Sequence, residues 1–335
     1  MHGDVRLDSP WVAAADSCDW SGRTDSNLDP DSPPPNMKIY SLCLVKDECD
    51  VIAQTLTAAA AWSEAIYVFD NGSTDGTWAT VLELARTHTQ IVPDRQNSTP
   101  YSPNLRRELF ETHRKEAAEG DWWCSLDADE FYIDDPFVFL ASVPSRFDEI
   151  WAASFEYYFT EKDADRYEDD PTLYGDEVPV EQKLRYYVNN WSEPRFFRYR
   201  HRLIWRQGAW PERLGRVYPV RIRLKHFQYR SPQQIQKRLS TRLEPMARGR
   251  FLHEMLPDWK EAVLNFRSTD FSTSDAQHVP QTWRDRVMDS SLLIEDTPGN
   301  DYVVNEDVLP PIPRPRPRWL TWLARKVRPM MRLDS

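Results

Sequence analysis

Apolar runs alternate with helix-periodic stretches between positions 37 and 132. Ile39–Val45 is almost continuously apolar, the pattern of a strand buried on both faces. A helix is expected over 51–62 and a second strand over 65–69. Trp78, Val81, Leu82 and Ala85 recur at helical spacing, which predicts a helix over 74–87. A short strand over 90–92 follows. Leu105, Leu109 and Phe110 then open an amphipathic helix that stops at Gly120, and Trp122–Leu126 is the next strand.

Farther on, 150–159, 194–199 and 220–227 read as strands. Ser231-Pro232-Gln233-Gln234 opens a helix, with Ser as cap, Pro in the first turn and Gln three residues after the cap. Four regions are expected. Residues 1–36, rich in Asp, Ser and Pro, read as a disordered acidic tail. Residues 37–235 form the main domain, in halves 37–132 and 133–235. Residues 236–310 form an irregular helical extension, and 311–335 a proline-rich linker with a basic amphipathic tail.

Strands alternating with helices imply a parallel, doubly wound sheet with right-handed crossovers. Such sheets bind ligands beyond the carboxyl ends of their strands, where strand order reverses. The loops there are Lys46-Asp47-Glu48, Asp70-Asn71-Gly72 and Asp127-Ala128-Asp129, all polar and gathered on one edge. Asp127 and Asp129, two positions apart at a strand end, can both reach one hard divalent cation. A solvated acidic turn is the competing reading. Ser73, Thr74 and Asp75 are explained by turn and capping chemistry, whereas an acid at the mouth of a buried strand, Asp70, is not. No GxxxxGK[ST] or GxGxxG loop is present, so neither a P-loop kinase nor a dinucleotide enzyme is supported.

Composition narrows the class. At 335 residues, 40% apolar and 28% charged, the chain is that of a globular protein with a substantial core. Its net charge of −11 is uneven: −5 on residues 1–36 and +6 on 312–335, which leaves −12 on the body. So acidic a body argues against nucleic acid as a partner. Cys18, Cys43, Cys49 and Cys124 lack paired zinc-ligand spacing. There is neither an apolar signal core in the first 36 residues nor an 18-residue apolar span, so a cytoplasmic protein is expected. In the tail, Trp319 and Trp322 stand beside Arg325, Lys326 and Arg328. That pairing suits peripheral contact with an anionic membrane face, or docking on the chain's own acidic body.

Leu44-Val45-Lys46-Asp47-Glu48, the run from Asp70 to Thr77, and Asp121-Trp122-Trp123 leading into Leu126-Asp127-Ala128-Asp129-Glu130-Phe131 together resemble a family 2 glycosyltransferase of the GT-A fold. The segments Ser192 to Arg198 and Lys225 to Pro232 are similar to a less characterised bacterial branch, so the resemblance covers about 37–245. It implies an α/β, mostly parallel sheet and metal-dependent transfer of a sugar from a nucleotide-diphosphate donor. Inversion is expected, with a glycan, lipid-linked or small-molecule acceptor in glycan or cell-envelope polysaccharide synthesis. Asp127, Asp129 and His226 would hold Mn²⁺ or Mg²⁺, Asp70 the base or ribose, and Arg106 a phosphate oxygen. Lys46, Glu48, Asn71 and Asp75 would line the same donor pocket.

One departure matters. The Glu-Asp pair that carries the catalytic base in many members, roughly 90 residues after the Asp-x-Asp motif, is missing here. Inverting transfer still needs a base, and Glu193 and Glu212 are the nearest candidates, with Glu161 and Asp163 behind them. Two other classes stay open. Nucleotidyl transfer to a sugar phosphate would want a Gly-rich basic loop where Lys46-Asp47-Glu48-Cys49 stands. A non-catalytic carbohydrate-binding protein could retain the fold.

Overall fold

A computed structural model describes residues 36–247, 259–265 and 282–312. The elements in chain order are β1 (Ile39–Val45), α1 (Ile52–Ala60), β2 (Ala65–Asp70), α2 (Thr77–Leu84), β3 (Ile91–Gln96), α3 (Asn104–His113), β4 (Trp122–Leu126) and β5 (Glu130–Tyr132). There follow α4 (Pro136–Ala141), β6 (Phe147–Tyr157), α5 (Glu161–Asp169), α6 (Val180–Lys183), β7 (Tyr186–Arg198), β8 (Arg216–Val217) and β9 (Ile222–His226). The last are α7 (Pro232–Ala247), α8 (Trp259–Leu264) and β10 (Ile294–Glu295). The acidic N-terminal tail and the basic 318–333 segment lie outside the described residues.

One sheet organises the chain, in the order β3-β2-β1-β4-β7-β6-β9-β5, with β10 on β7 and β8 on β6. The strands β3, β2, β1 and β4 run parallel. β7 turns antiparallel to β4 and β6 antiparallel to β7, while β9 is parallel to β6 and β5 antiparallel to β9. The fold is α/β and GT-A-like. Strand order reverses between β1 and β4, because β2 and β3 build outward on one side and the later strands on the other.

Burial explains the apolar run of β1. Ile39 and Cys43 face one cluster with Ile52, Leu56 and Val68. Tyr40 and Leu42 face a second, with Tyr67, Leu109, Phe110 and Trp123. Alternate residues of a strand point to opposite faces, so a strand covered on both sides has no polar face to show. Within the second cluster Tyr40, Tyr67 and Trp123 stack, with Trp123 5.0 Å from Tyr40 and 5.9 Å from Tyr67, centroid to centroid, while Phe110 meets Trp123 edge-on. A third cluster, of Phe155, Tyr157, Tyr187, Phe227, Met288 and Leu309, sits under the later strands.

The largest departure from the sequence pattern is β7, which starts at Tyr186 rather than near 194. Asn189, Asn190, Ser192 and Glu193 hide it from an apolar-run search, yet the strand pairs with β6 from Tyr187 to Phe197, with Asn189 and Asn190 at a register shift. The helix expected over 74–87 begins only at Thr77, because Gly76 adopts φ +100° and ends the preceding turn. Among the described residues no helix is long and apolar enough to cross a membrane.

Candidate active site

A cavity of about 1250 Å³ opens beyond the ends of β1 and β4, where strand order reverses. Lys46, Glu48, Asn71, Arg106, Asp127, Asp129, Glu193 and His226 all line it. Topology brings them there. In the parallel β1–β4 pair Cys43 stands opposite Leu126, so the loops after both strands leave side by side. On the other flank β9 lies between β5 and β6, and His226 is registered with both Glu130 and Glu156.

Asp127 and Asp129 are enclosed by cations. Arg106 Nη2 donates to Asp127 Oδ1 at 2.5 Å and Arg195 Nη2 to Asp127 Oδ2 at 3.0 Å. Asp129 Oδ1 lies 3.4 Å from His226 Nε2, and its Oδ2 lies 3.6 Å from Arg230 Nη1 and 3.9 Å from Arg238 Nη1. Burial alone would push both carboxyls up. The Arg195 and Arg106 guanidiniums instead hold Asp127 below the usual carboxylate range, and His226 and Arg230 do the same for Asp129. His226 also has Glu156 Oε2 at 2.8 Å from Nδ1. Burial disfavours its charged form, but the two flanking carboxylates outweigh that and keep it an imidazolium well above its ordinary range.

Arg195 is the hub. Its Nη2 serves Asp127, Glu130 and Glu193, the last at 2.8 Å. Glu130 is completely enclosed, and burial, opposed by Arg195, pushes its carboxyl up to about 8. Behind it Arg230 is fully buried and donates to Asp50 through Nε and Nη2 at 2.8 Å each, and to Glu48. Glu48 is driven up to about 7 by burial, which Arg230 only partly offsets.

Three of the residues singled out from sequence do not line the cavity. Asp70 is fully buried: its Oδ1 accepts from Ser73 N at 2.6 Å, while Oδ2 has no partner among the described residues. Asp75 braces the β2–α2 loop, accepting from Thr77 N at 3.0 Å and Cys49 N at 3.2 Å. Glu212 pairs loosely with Arg206, 3.7 Å away. Behind them, Asp163 belongs to the capping box of α5, and Glu161 Oε2 accepts from Ser290 N at 2.7 Å.

The structure adds wall residues that sequence reasoning passed over: Arg195, Glu156, Trp191 and the α7 residues Lys237, Arg238 and Arg242. Glu156 and Arg195 sit at polar positions of long strands, readable only once the strands are placed. Arg238 and Arg242, four positions apart on α7 with Lys237 next to the first, are a helical i, i+4 pair that spacing alone could have flagged.

A divalent ion was expected between Asp127, Asp129 and His226. These donors suit a hard cation in type, but as placed they do not fit one. Both oxygens of Asp127 are taken by guanidiniums, and both nitrogens of His226 face carboxylates. Among the described residues no three His, Cys, Asp or Glu side chains converge as a metal site.

No protein family's sequence profile matches the chain, and no curated protein matches it. Solved structures are similar over part of it, among them the following two. One is the mannosyltransferase PcManGT from Pyrobaculum calidifontis in complex with GDP-Man and Mn²⁺, 17% identical over 53% of this chain, with a TM-score of 0.30. The other is S. aureus TarS 1-349, 14% identical over 44% of this chain, with a TM-score of 0.26. The matches span 48% and 53% of those two chains. At these scores neither likeness bears on the chemistry, which rests on the geometry of the site.

Proposed function

We propose that this chain is a glycosyltransferase that moves a sugar from a nucleotide-diphosphate donor to an acceptor hydroxyl, with inversion. The observation that carries the reading is the cavity itself. It lies at the reversal of strand order and joins the polar loops after β1 and β4 to the wall formed by β7 and α7. The nucleotide half of the donor belongs on the β1 and β2 side, against Lys46 and Asn71. The acceptor belongs on the side of Trp191 and Glu193.

Inverting transfer is a single displacement. The acceptor oxygen bonds to the anomeric carbon, the bond from that carbon to the diphosphate oxygen breaks, and the acceptor proton passes to a base. Of the two bases expected from sequence, Glu193 lines the cavity and Glu212 does not, so the role is assigned to Glu193. Arg195 Nη2 at 2.8 Å and Trp191 Nε1 at 2.9 Å both donate to its Oε1, which fixes the carboxylate. No step is routed through a metal, because Asp127 is held by Arg106 and Arg195 and His226 lies between Asp129 and Glu156.

Incubating the protein with UDP-, GDP-, dTDP- and CDP-sugars, with and without Mn²⁺, and measuring released nucleoside diphosphate tests the reading. Turnover of at least one donor is expected, and Glu193→Gln should lower kcat by about 10²-fold or more with little change in donor affinity. Absence of both turnover and nucleotide binding across the panel would overturn the proposal.

A further inference from the structure

The Asp127/Asp129 pair poses a disagreement that the glycosyl-transfer reading leaves open. A leaving diphosphate needs positive charge, and the carboxylates that would bring it as a metal ion are already ion-paired. The same cavity wall supplies the charge in another form. Seven of its lining residues are Lys or Arg against six Asp or Glu, in a chain whose net charge is −11.

Two of these cations have donors to spare. Among the described residues Arg106 donates only to Asp127, through Nη2, and Arg195 donates only through Nη2. The Nε of each is buried with no partner among the described residues. A guanidinium carries five N–H donors in a planar fork, so most of the donors of both arginines are uncommitted. Such a fork matches two oxygens of one phosphate, and the match gains strength where water is excluded. Arg195 is 4% exposed and the Arg106 side chain 14%, so both are largely desolvated yet reach the cavity wall. Asp127 lies between them with one oxygen toward each, the geometry of a clamp that holds two cations side by side.

Building on the glycosyltransferase reading, we propose that Arg106 and Arg195, positioned by Asp127, receive the donor's diphosphate directly and that nucleoside diphosphate binds without a divalent cation. In this arrangement the two guanidiniums stabilise the negative charge that develops on the leaving oxygen, and Asp127 is a positioning residue. Lys46, on the same wall, adds a further cation; its Nζ donates to the Asn71 carbonyl at 3.2 Å.

Calorimetric titration of the full chain with UDP, GDP, dTDP and CDP, in excess EDTA and again with Mn²⁺, tests this. The expected result is binding of at least one nucleotide in EDTA, with affinity within about threefold of that in Mn²⁺. Arg106→Gln should weaken EDTA binding about tenfold or more at an unchanged melting temperature, and Arg106→Lys, which keeps the charge but loses the fork, should recover only part of it. Binding that requires Mn²⁺, or an Arg106→Gln variant that binds as tightly as the parent, would overturn this inference and leave glycosyl transfer standing. Failure of every nucleotide to bind in either condition would instead remove the glycosyltransferase reading, and this inference with it.

Discussion

Single carboxylates in this protein differ less in type than in what surrounds them. Asp75 shows how a polar loop residue earns a fixed place. Burial pushes its carboxyl up, but hydrogen bonds from the Thr77 side chain and backbone, Lys237 and the Cys49 backbone outweigh that and hold it well below the ordinary value of 3.8. Between that folded value and 3.8 the unfolded chain binds more protons than the native one, so stability rises with pH there. The contribution of Asp75 is therefore fully present above the unfolded value and lost as pH falls through the folded one. Asp75→Asn should cost about 1.5–3 kcal/mol at pH 7. The gap from wild type should narrow below the unfolded value and keep closing as the pH falls towards the folded one. Urea denaturation at neutral pH and at the lowest pH the fold tolerates measures this, and a gap that stays constant would remove the carboxylate from the account.

At the scale of elements, the β2–α2 loop decides where the edge of the cavity lies. Gly72 sits at φ +77°, and a Cβ placed there would meet Ser98 Cα at 2.8 Å. The backbone of the loop after β3 thus presses directly against this turn, and Asn71 Nδ2 reaches across to the Asn97 carbonyl at 3.2 Å. Gly72→Ala combines a left-handed backbone with a backbone clash, so a loss of about 1–3 kcal/mol is expected. Because Asn71 and Ser98 both line the cavity, nucleotide affinity should fall along with stability. Gly76 has φ +100° but open space around it, and Gly76→Ala is the control: it should lower stability without weakening nucleotide binding. Thermal melts and titration of the two variants side by side distinguish the cases.

Across the whole molecule the cavity ignores the boundary expected near residue 235. Its wall draws on β1, β7 and the loop after β4, but also on α7, Trp259 and Arg286. Met288 and Leu309 are buried in the core under the later strands, and Arg221 is tied to Glu306 and to the Pro310 carbonyl. We therefore propose that the stretch after 235 completes both site and core rather than forming an appendage. A chain ending at residue 247 would lose several buried apolar side chains, each worth about 2–5 kcal/mol when truncated. It should lack a cooperative thermal transition. A truncated chain that melts like the full one would restore the separate extension.

The sequence by itself determined the alternation of elements, since an apolar run buried on both faces and a 3.6-residue period are local patterns. It also placed Lys46 and Asp127 at strand ends near the reversal of order. It could not find β7 from Tyr186, because a polar residue inside a strand is satisfied by a partner that local pattern does not name. Nor could it tell that Asp70 is enclosed while Asn71 beside it reaches the cavity. Tertiary structure alone decided the state of the acidic pair. Whether a carboxylate waits for a metal or clamps two guanidiniums depends on which cations the fold brings within about 4 Å, and Arg106, Arg195 and Arg230 arrive from 21, 68 and 101 positions away in the chain. Charge interactions fall off with distance through space and take no account of separation along the chain.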